Sequence, residues 1–172
     1  MKYKNLHTHT LEKLFGPISI QIKKQDKTVR IVELKDEDEL CRTLAIVKFS
    51  DVHGNLLKEA YETILSGELL GKTLCQFNID FDKVYTGSLQ LKLPSWLKND
   101  FKTEDDLGIA FFSGIWITDK SLNPKKFKFA DIIEIIPQDL KDDFKYKINP
   151  LQNIDSSVKE LFKEANINLI NA

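Results

Sequence analysis

The chain is poor in the features that announce a function. Two cysteines, Cys41 and Cys75, stand in 172 residues. Each sits among apolar residues in a segment read as a strand, where a free thiol behaves as a small hydrophobe. The pattern fits a reducing, cytoplasmic setting. Charge of one sign is also missing. Lys and Arg number 25 against 26 Asp and Glu, a formal net charge of −1, which leaves no electrostatic case for nucleic acid or an anionic membrane surface. No apolar run approaches the ~18 residues of a membrane span, and the opening M-K-Y-K-N-L-H-T-H-T lacks the apolar core of a signal peptide. The chain is therefore expected to be neither exported nor inserted.

Catalytic and cofactor motifs are equally scarce. No nucleophile elbow, phosphate loop, dinucleotide fingerprint or Cys–His pair occurs. His7-x-His9 has a strand-like spacing for metal, but no Cys, His or acidic cluster completes it, so it reads as a polar terminus. His53 beside Gly54 reads as loop. Trp96 and Trp116 read as core, because no basic stripe accompanies them. There is no internal repeat and no low-complexity block.

What remains is an ordinary globular composition, 42% aliphatic and aromatic with 30% charged residues, at a length suited to one domain with a real core. Thr8 or Thr10 can cap a short helix carrying Leu11, Leu14 and Phe15, closed by Gly16-Pro17. Ile18, Ile20 and Ile22 alternate with polar residues as a half-buried strand. A helix capped by Asp51 or Asn55 carries Leu56, Leu57, Ala60, Tyr61, Ile64 and Leu65 and ends at Ser66-Gly67. Gly67 and Gly71 bracket a loop whose backbone N–H groups can face a ligand, before Cys75, Phe77, Ile79 and Phe81 alternate as a strand. Leu89 to Leu93 alternates again, Ser95 can cap a short helix from Trp96 to Phe101, and Leu107–Ile117 and Phe127–Pro137 are apolar enough to be central strands. Ser157-x-x-Glu160 matches a capping box, with Asp155 the other candidate cap, for an amphipathic helix carrying Val158, Leu161, Phe162 and Ala165. The sum is α+β: a single domain with an antiparallel sheet of about six strands and flanking helices.

Three side chains break the inside-out rule. Thr28 to Phe49 reads as a β-hairpin around the charged segment Lys35 to Glu39. Strand alternation puts Arg30, Val32 and Leu34 on one side of its first strand and Leu40, Arg42, Leu44 and Ile46 on one side of its second. A turn centred near Glu37 pairs Val32 with Arg42 and Arg30 with Leu44, leaving the two guanidinium groups diagonal neighbours, roughly 7–8 Å apart at Cα. Two cations on one apolar face need an anion, unless their heads reach water or a protein carboxylate meets them. Glu134, among isoleucines in F-K-F-A-D-I-I-E-I-I-P, cannot be a solvated face residue by periodicity. It must meet a cation, bind a ligand, or carry a raised pKa that would suit it to act as an acid near neutral pH. An enclosed site with Arg30, Arg42 and Glu134 suits a small dianionic or hydroxylated carboxylate; the same residues as an internal Arg–Glu–Arg triad need no ligand.

These pieces, in order, resemble a known family. Arg30-Ile31-Val32, Cys41-Arg42-Thr43, Leu69-Leu70-Gly71-Lys72-Thr73-Leu74, Gly114-Ile115-Trp116 and Glu134-Ile135-Ile136-Pro137 are similar in type and spacing to the motifs of chorismate lyase, over roughly Thr10 to Pro137. That superfamily also includes UTRA-type effector-binding domains of transcriptional regulators. The resemblance implies an antiparallel sheet enclosing a pocket, and elimination of pyruvate from chorismate to give 4-hydroxybenzoate without metal or organic cofactor. It implies that Arg30 grips the ring carboxylate, Glu134 meets the 4-oxygen, Arg42 lies near the enolpyruvyl carboxylate or its exit route, and the backbone of Leu70 and Gly71 completes the carboxylate cradle. Thr10-Leu11 would start an N-terminal lid, with Leu11 against the substrate. The alternative within the superfamily is a non-catalytic module binding a small aromatic carboxylate. Residues 1–137 form the family-like domain on this reading, and 138–172 are an extension whose helix packs on the same domain or on a partner subunit.

Overall fold

A computed structural model describes residues 6–51, 57–121, 125–144 and 154–169. His53, Asn55 and Leu56 lie outside them. Six strands, β1 (Ser19–Gln25), β2 (Val29–Lys35), β3 (Cys41–Phe49), β4 (Phe81–Lys92), β5 (Leu107–Asp119) and β6 (Lys125–Pro137), form one sheet in the order β1-β2-β3-β6-β5-β4. Every neighbouring pair is antiparallel. The fold is a single α+β domain, as the strand periodicities indicate. The apolar runs of β5 and β6 occupy central positions because both of their faces are covered, so alternation disappears from their sequences. Edge strand β4 keeps its alternation.

Helices α1 (His7–Phe15), α2 (Lys58–Leu65) and α3 (Leu70–Gln76) contribute to the apolar clusters on one face, and α4 (Ser95–Phe101) and α5 (Ser156–Glu164) to the cluster on the other. Leu161 and Phe162 of α5 share a core with Leu44, Ile46, Phe112 and Ile133. The C-terminal extension therefore packs on the same sheet. Asp155 caps α5 by accepting from the Val158 N–H at 2.9 Å; Ser157 lies inside the helix and is not its cap.

Three local expectations are corrected. The alternation from Cys75 to Phe77 is not a strand: Leu70–Gln76 is helical and buries Thr73 and Leu74, and β4 begins only at Phe81. Helix α1 starts at His7 with no side-chain cap, so Thr8 and Thr10 lie within it, as Ser95 lies within α4, whose N-cap is Pro94. In the hairpin, Arg30 pairs with Val47 and Val32 with Ala45, not with Leu44 and Arg42. The turn is longer than a Glu37-centred one. Asp36 Oδ1 accepts from the Asp38 and Leu40 N–H groups at 3.0 Å each, Glu39 takes a left-handed φ of 60°, and the register shifts between Leu34 and Lys35.

The sheet is strongly curled. Lys83 pairs with Ile115, which pairs with Ala130, four residues before Glu134. On a flat sheet Lys83 and Glu134 would lie roughly 16 Å apart at Cα. Their ammonium and carboxylate are nonetheless in contact, so β4 and β5 fold over the face carrying Glu134. The register shifts at Tyr85/Gly87 and Ile115/Trp116 supply bends of that kind.

Candidate functional site

A half-open cavity of about 60 Å³ lies between α1, the start of α3 and the sheet face, with lining residues from β1 through β6. Its polar lining is Arg30, Lys83, Glu134 and His7; Val32, Ala45, Val47 and Ile132 form much of the apolar wall. Leu6, His7 and Thr8, at the start of α1, close one side. The volume is that of a few water-sized spheres and lies below the ~300–1,000 Å³ typical of ligand pockets, so an aromatic ring enters only if a wall such as α1 shifts. A larger depression of about 600 Å³ lies among Phe77, Ile79, Asp119 and Lys120. None of its lining residues carries a buried polar atom without a hydrogen-bond partner. The smaller cavity holds several.

Arg30 is the most unusual of them. It is 2% exposed, yet among the described residues its hydrogen bond is from Nη1 to the Glu68 carbonyl at 2.7 Å, and Nε and Nη2 have no partner there. Burial pulls its pKa down to about 10, which still leaves it charged at neutral pH, with Glu68 opposing the shift. A buried guanidinium with two donors unmet is costly unless something outside the chain meets them. A planar carboxylate would.

Glu134 stands two strands away in β6, roughly 12 Å from Arg30 at Cα by strand spacing. It is 6% exposed and its partner is a lysine, not an arginine: Lys83 Nζ donates to both carboxylate oxygens at 2.7 Å. Burial opposes ionisation most strongly, but the interaction with His7 and the Lys83 ammonium with its hydrogen bonds outweigh it, and the carboxyl is held below its usual range. A Glu134 kept protonated near neutral pH is thus corrected; Lys83 keeps it charged.

His7 is buried in this site, which corrects the reading of a free polar terminus. Its ring stacks on Phe144 at 4.4 Å, Nε2 lies 2.8 Å from Thr43 Oγ1, and Nδ1 lies 3.5 Å from Glu134 Oε2. A tautomer with the proton on Nδ1 faces the carboxylate and lets Nε2 accept from the Thr43 hydroxyl. Burial lowers the His7 pKa to about 4, against the attraction of Glu134, so the ring is neutral at pH 7.

The other expected residues divide. Leu70 and Gly71 line the cavity, but as the first two residues of α3, not as loop. Their N–H groups precede the first intrahelical donor, the Thr73 N–H, which bonds the Leu69 carbonyl at 2.9 Å. A Cβ at Gly71 would stand 2.9 Å from Leu6 Cδ1, so the leucine side chain would have to shift to admit it. Leu11 is fully buried in the core beneath the site and does not line it. Arg42 lies outside the cavity. Its Nη2 and Nε each reach Asp36 Oδ2 at 2.7 Å and its guanidinium covers the Phe15 ring at 3.9 Å, so the anion it required is in its own turn.

Lys83 and His7 are the site residues that sequence reading missed. A signal for Lys83 existed: Phe81, Lys83 and Tyr85 share one parity, which places the lysine inward between aromatics, while Val84 is 45% exposed. The chain matches no protein-family model and no curated protein.

Proposed function

We propose that the chain is a chorismate lyase-like enzyme, eliminating pyruvate from chorismate to leave 4-hydroxybenzoate. The observation that carries this reading is Arg30, a buried cation with two unmet donors, sharing one small cavity with the Glu134–Lys83 pair. Arg30 holds the ring carboxylate, beside the opening residues of α3, and Glu134 meets the hydroxyl at the opposite end of the ring. Chorismate carries two carboxylates, and its aromatisation is strongly downhill. Orientation of the enolpyruvyl ether and a cation for the departing group are then the main demands on the protein. Arg30 and Lys83 supply positive charge at the two ends of the cavity. Purified protein incubated with chorismate is expected to release pyruvate and 4-hydroxybenzoate in equal amounts. Folded protein giving neither above background contradicts the proposal.

A second reading is a non-catalytic binding module for the same ligand class. The satisfied state of Glu134, both of whose oxygens accept from Lys83, favours it. Tight binding of 4-hydroxybenzoate with no turnover of chorismate would select it.

A further inference from the structure

Lys83 has the geometry of more than a charge partner. An ammonium has three N–H donors, and Glu134 takes two of them, one on each oxygen at 2.7 Å. The third is left at the cavity that both residues line. The groups facing Glu134 are Lys83 from β4 and His7 from α1, with Arg30 of β2 at the far end of the lining. His7 is neutral at pH 7, and the Arg30 guanidinium bonds the Glu68 carbonyl rather than Glu134. Among the described lining residues, Lys83 is therefore the cation in direct contact with Glu134 and the one placed to exchange a proton with it.

Elimination of an enolpyruvyl ether needs such a donor. The bond between the ring carbon and the ether oxygen breaks, and its electron pair goes to that oxygen. The hydrogen on the neighbouring, hydroxyl-bearing carbon leaves as a proton, and its bonding pair becomes part of the aromatic ring. One proton must be taken up at the ring and one delivered to the departing enolpyruvate, which becomes pyruvate. Building on the lyase reading above, we propose that Lys83 is the acid that protonates the departing enolpyruvyl group, with Glu134 receiving the ring proton. Glu134 then returns that proton to Lys83 across their hydrogen bonds, and the pair ends as it began. No other reactant is required. An acid and a base already joined by two short hydrogen bonds suit this exchange, since positioned proton transfer contributes about 10²–10⁴-fold in rate.

The test compares Lys83→Met and Lys83→Arg in the full chain. Arginine retains a cation for Glu134 but is not a proton donor at working pH. Both variants are expected to lose about 10²–10⁴-fold in kcat, with circular dichroism spectra like the parent's showing them folded. A purely structural ion pair would instead be rescued by Arg, and wild-type-like kcat in Lys83→Arg overturns the proposal. A second readout does not depend on the variants folding. Chorismate deuterated at the hydroxyl-bearing ring carbon is turned over in ordinary water, and the pyruvate is reduced at once to lactate. Transfer through Glu134 and Lys83 dilutes the label with ammonium and solvent protons, so the methyl group should be largely unlabelled. Full retention of deuterium would mean direct transfer within the substrate and overturns the role of Lys83. Wild-type protein that makes no pyruvate overturns the lyase reading and this proposal together; active wild type with an active Lys83→Arg variant overturns this proposal alone.

Discussion

Arg30 is held in the apolar interior with Nε and Nη2 unpaired, a state that weakens the fold. Replacing it with methionine, of similar reach and no charge, is expected to leave stability unchanged within about 1 kcal/mol or to raise it, as seen where strain is kept for function. Denaturant unfolding of Arg30→Met against the parent measures this; a loss of several kcal/mol would show that Arg30 is structural. His7 gives a second expectation, in pH. Its pKa is depressed from 6.5 to about 4 in the folded chain, so the unfolded chain binds the extra proton between those values. Stability from the neutral ring is complete above about pH 6.5 and is lost as pH falls towards 4, by about 3 kcal/mol in all. Glu134, whose pKa is lowered, contributes stability that is present above its unfolded value of 4.5 and is lost below it, a separate window. Unfolding curves at pH 7, 5.5 and 4.5 should thus steepen in their pH dependence for the parent and flatten for His7→Phe. At this scale Arg30 and Glu134 were legible as charges on an apolar parity, although Arg42, read by the same rule, found its anion in Asp36. Lys83 was not singled out because a long cationic side chain on an edge strand ordinarily reaches water.

The β2–β3 hairpin shows how an element can be recognised and its register still missed. Strand existence follows from the β-branched runs, but register depends on the turn. Asp36, Glu39 and the bulge at Leu34/Lys35 displace each pairing by three residues. That displacement removes Arg42 from Arg30 and ties it to Asp36 and Phe15. Asp36→Ala removes two turn hydrogen bonds and the Arg42 pair, and is expected to cost about 1–3 kcal/mol of stability. Arg42→Ala should leave 4-hydroxybenzoate affinity unaltered; a tenfold loss would return Arg42 to the site. The segment Leu70–Gln76 misled for a different reason. Cys75 and Phe77 continue into Ile79 and Phe81 with period two, while the helical face rests on Thr73 and Leu74 alone, and seven residues are too few for a 3.6-residue period to stand out.

At the scale of the whole molecule, the antiparallel sheet could be read from strand length and alternation, because each strand's burial is written into its own residues. The curl that brings Lys83 to Glu134 could not, since bulges leave little trace in composition. Helix α5 is part of the main core, with Phe162 fully buried among residues of β3, β5 and β6. Phe162→Ala is expected to cost about 3–5 kcal/mol, readable in a single unfolding transition; a change under 1 kcal/mol would show the extension to be an appendage. Among the described residues, the Arg30 guanidinium is buried with two donors unmet and lines this half-open cavity. Titration calorimetry of 4-hydroxybenzoate into the full-length chain and into Arg30→Met tests that arrangement most directly. Saturable one-site binding to the parent, weakened about 100-fold or more by the substitution, is the expected result; equal affinity in the two proteins would place the ligand elsewhere and contradict the assignment of this cavity.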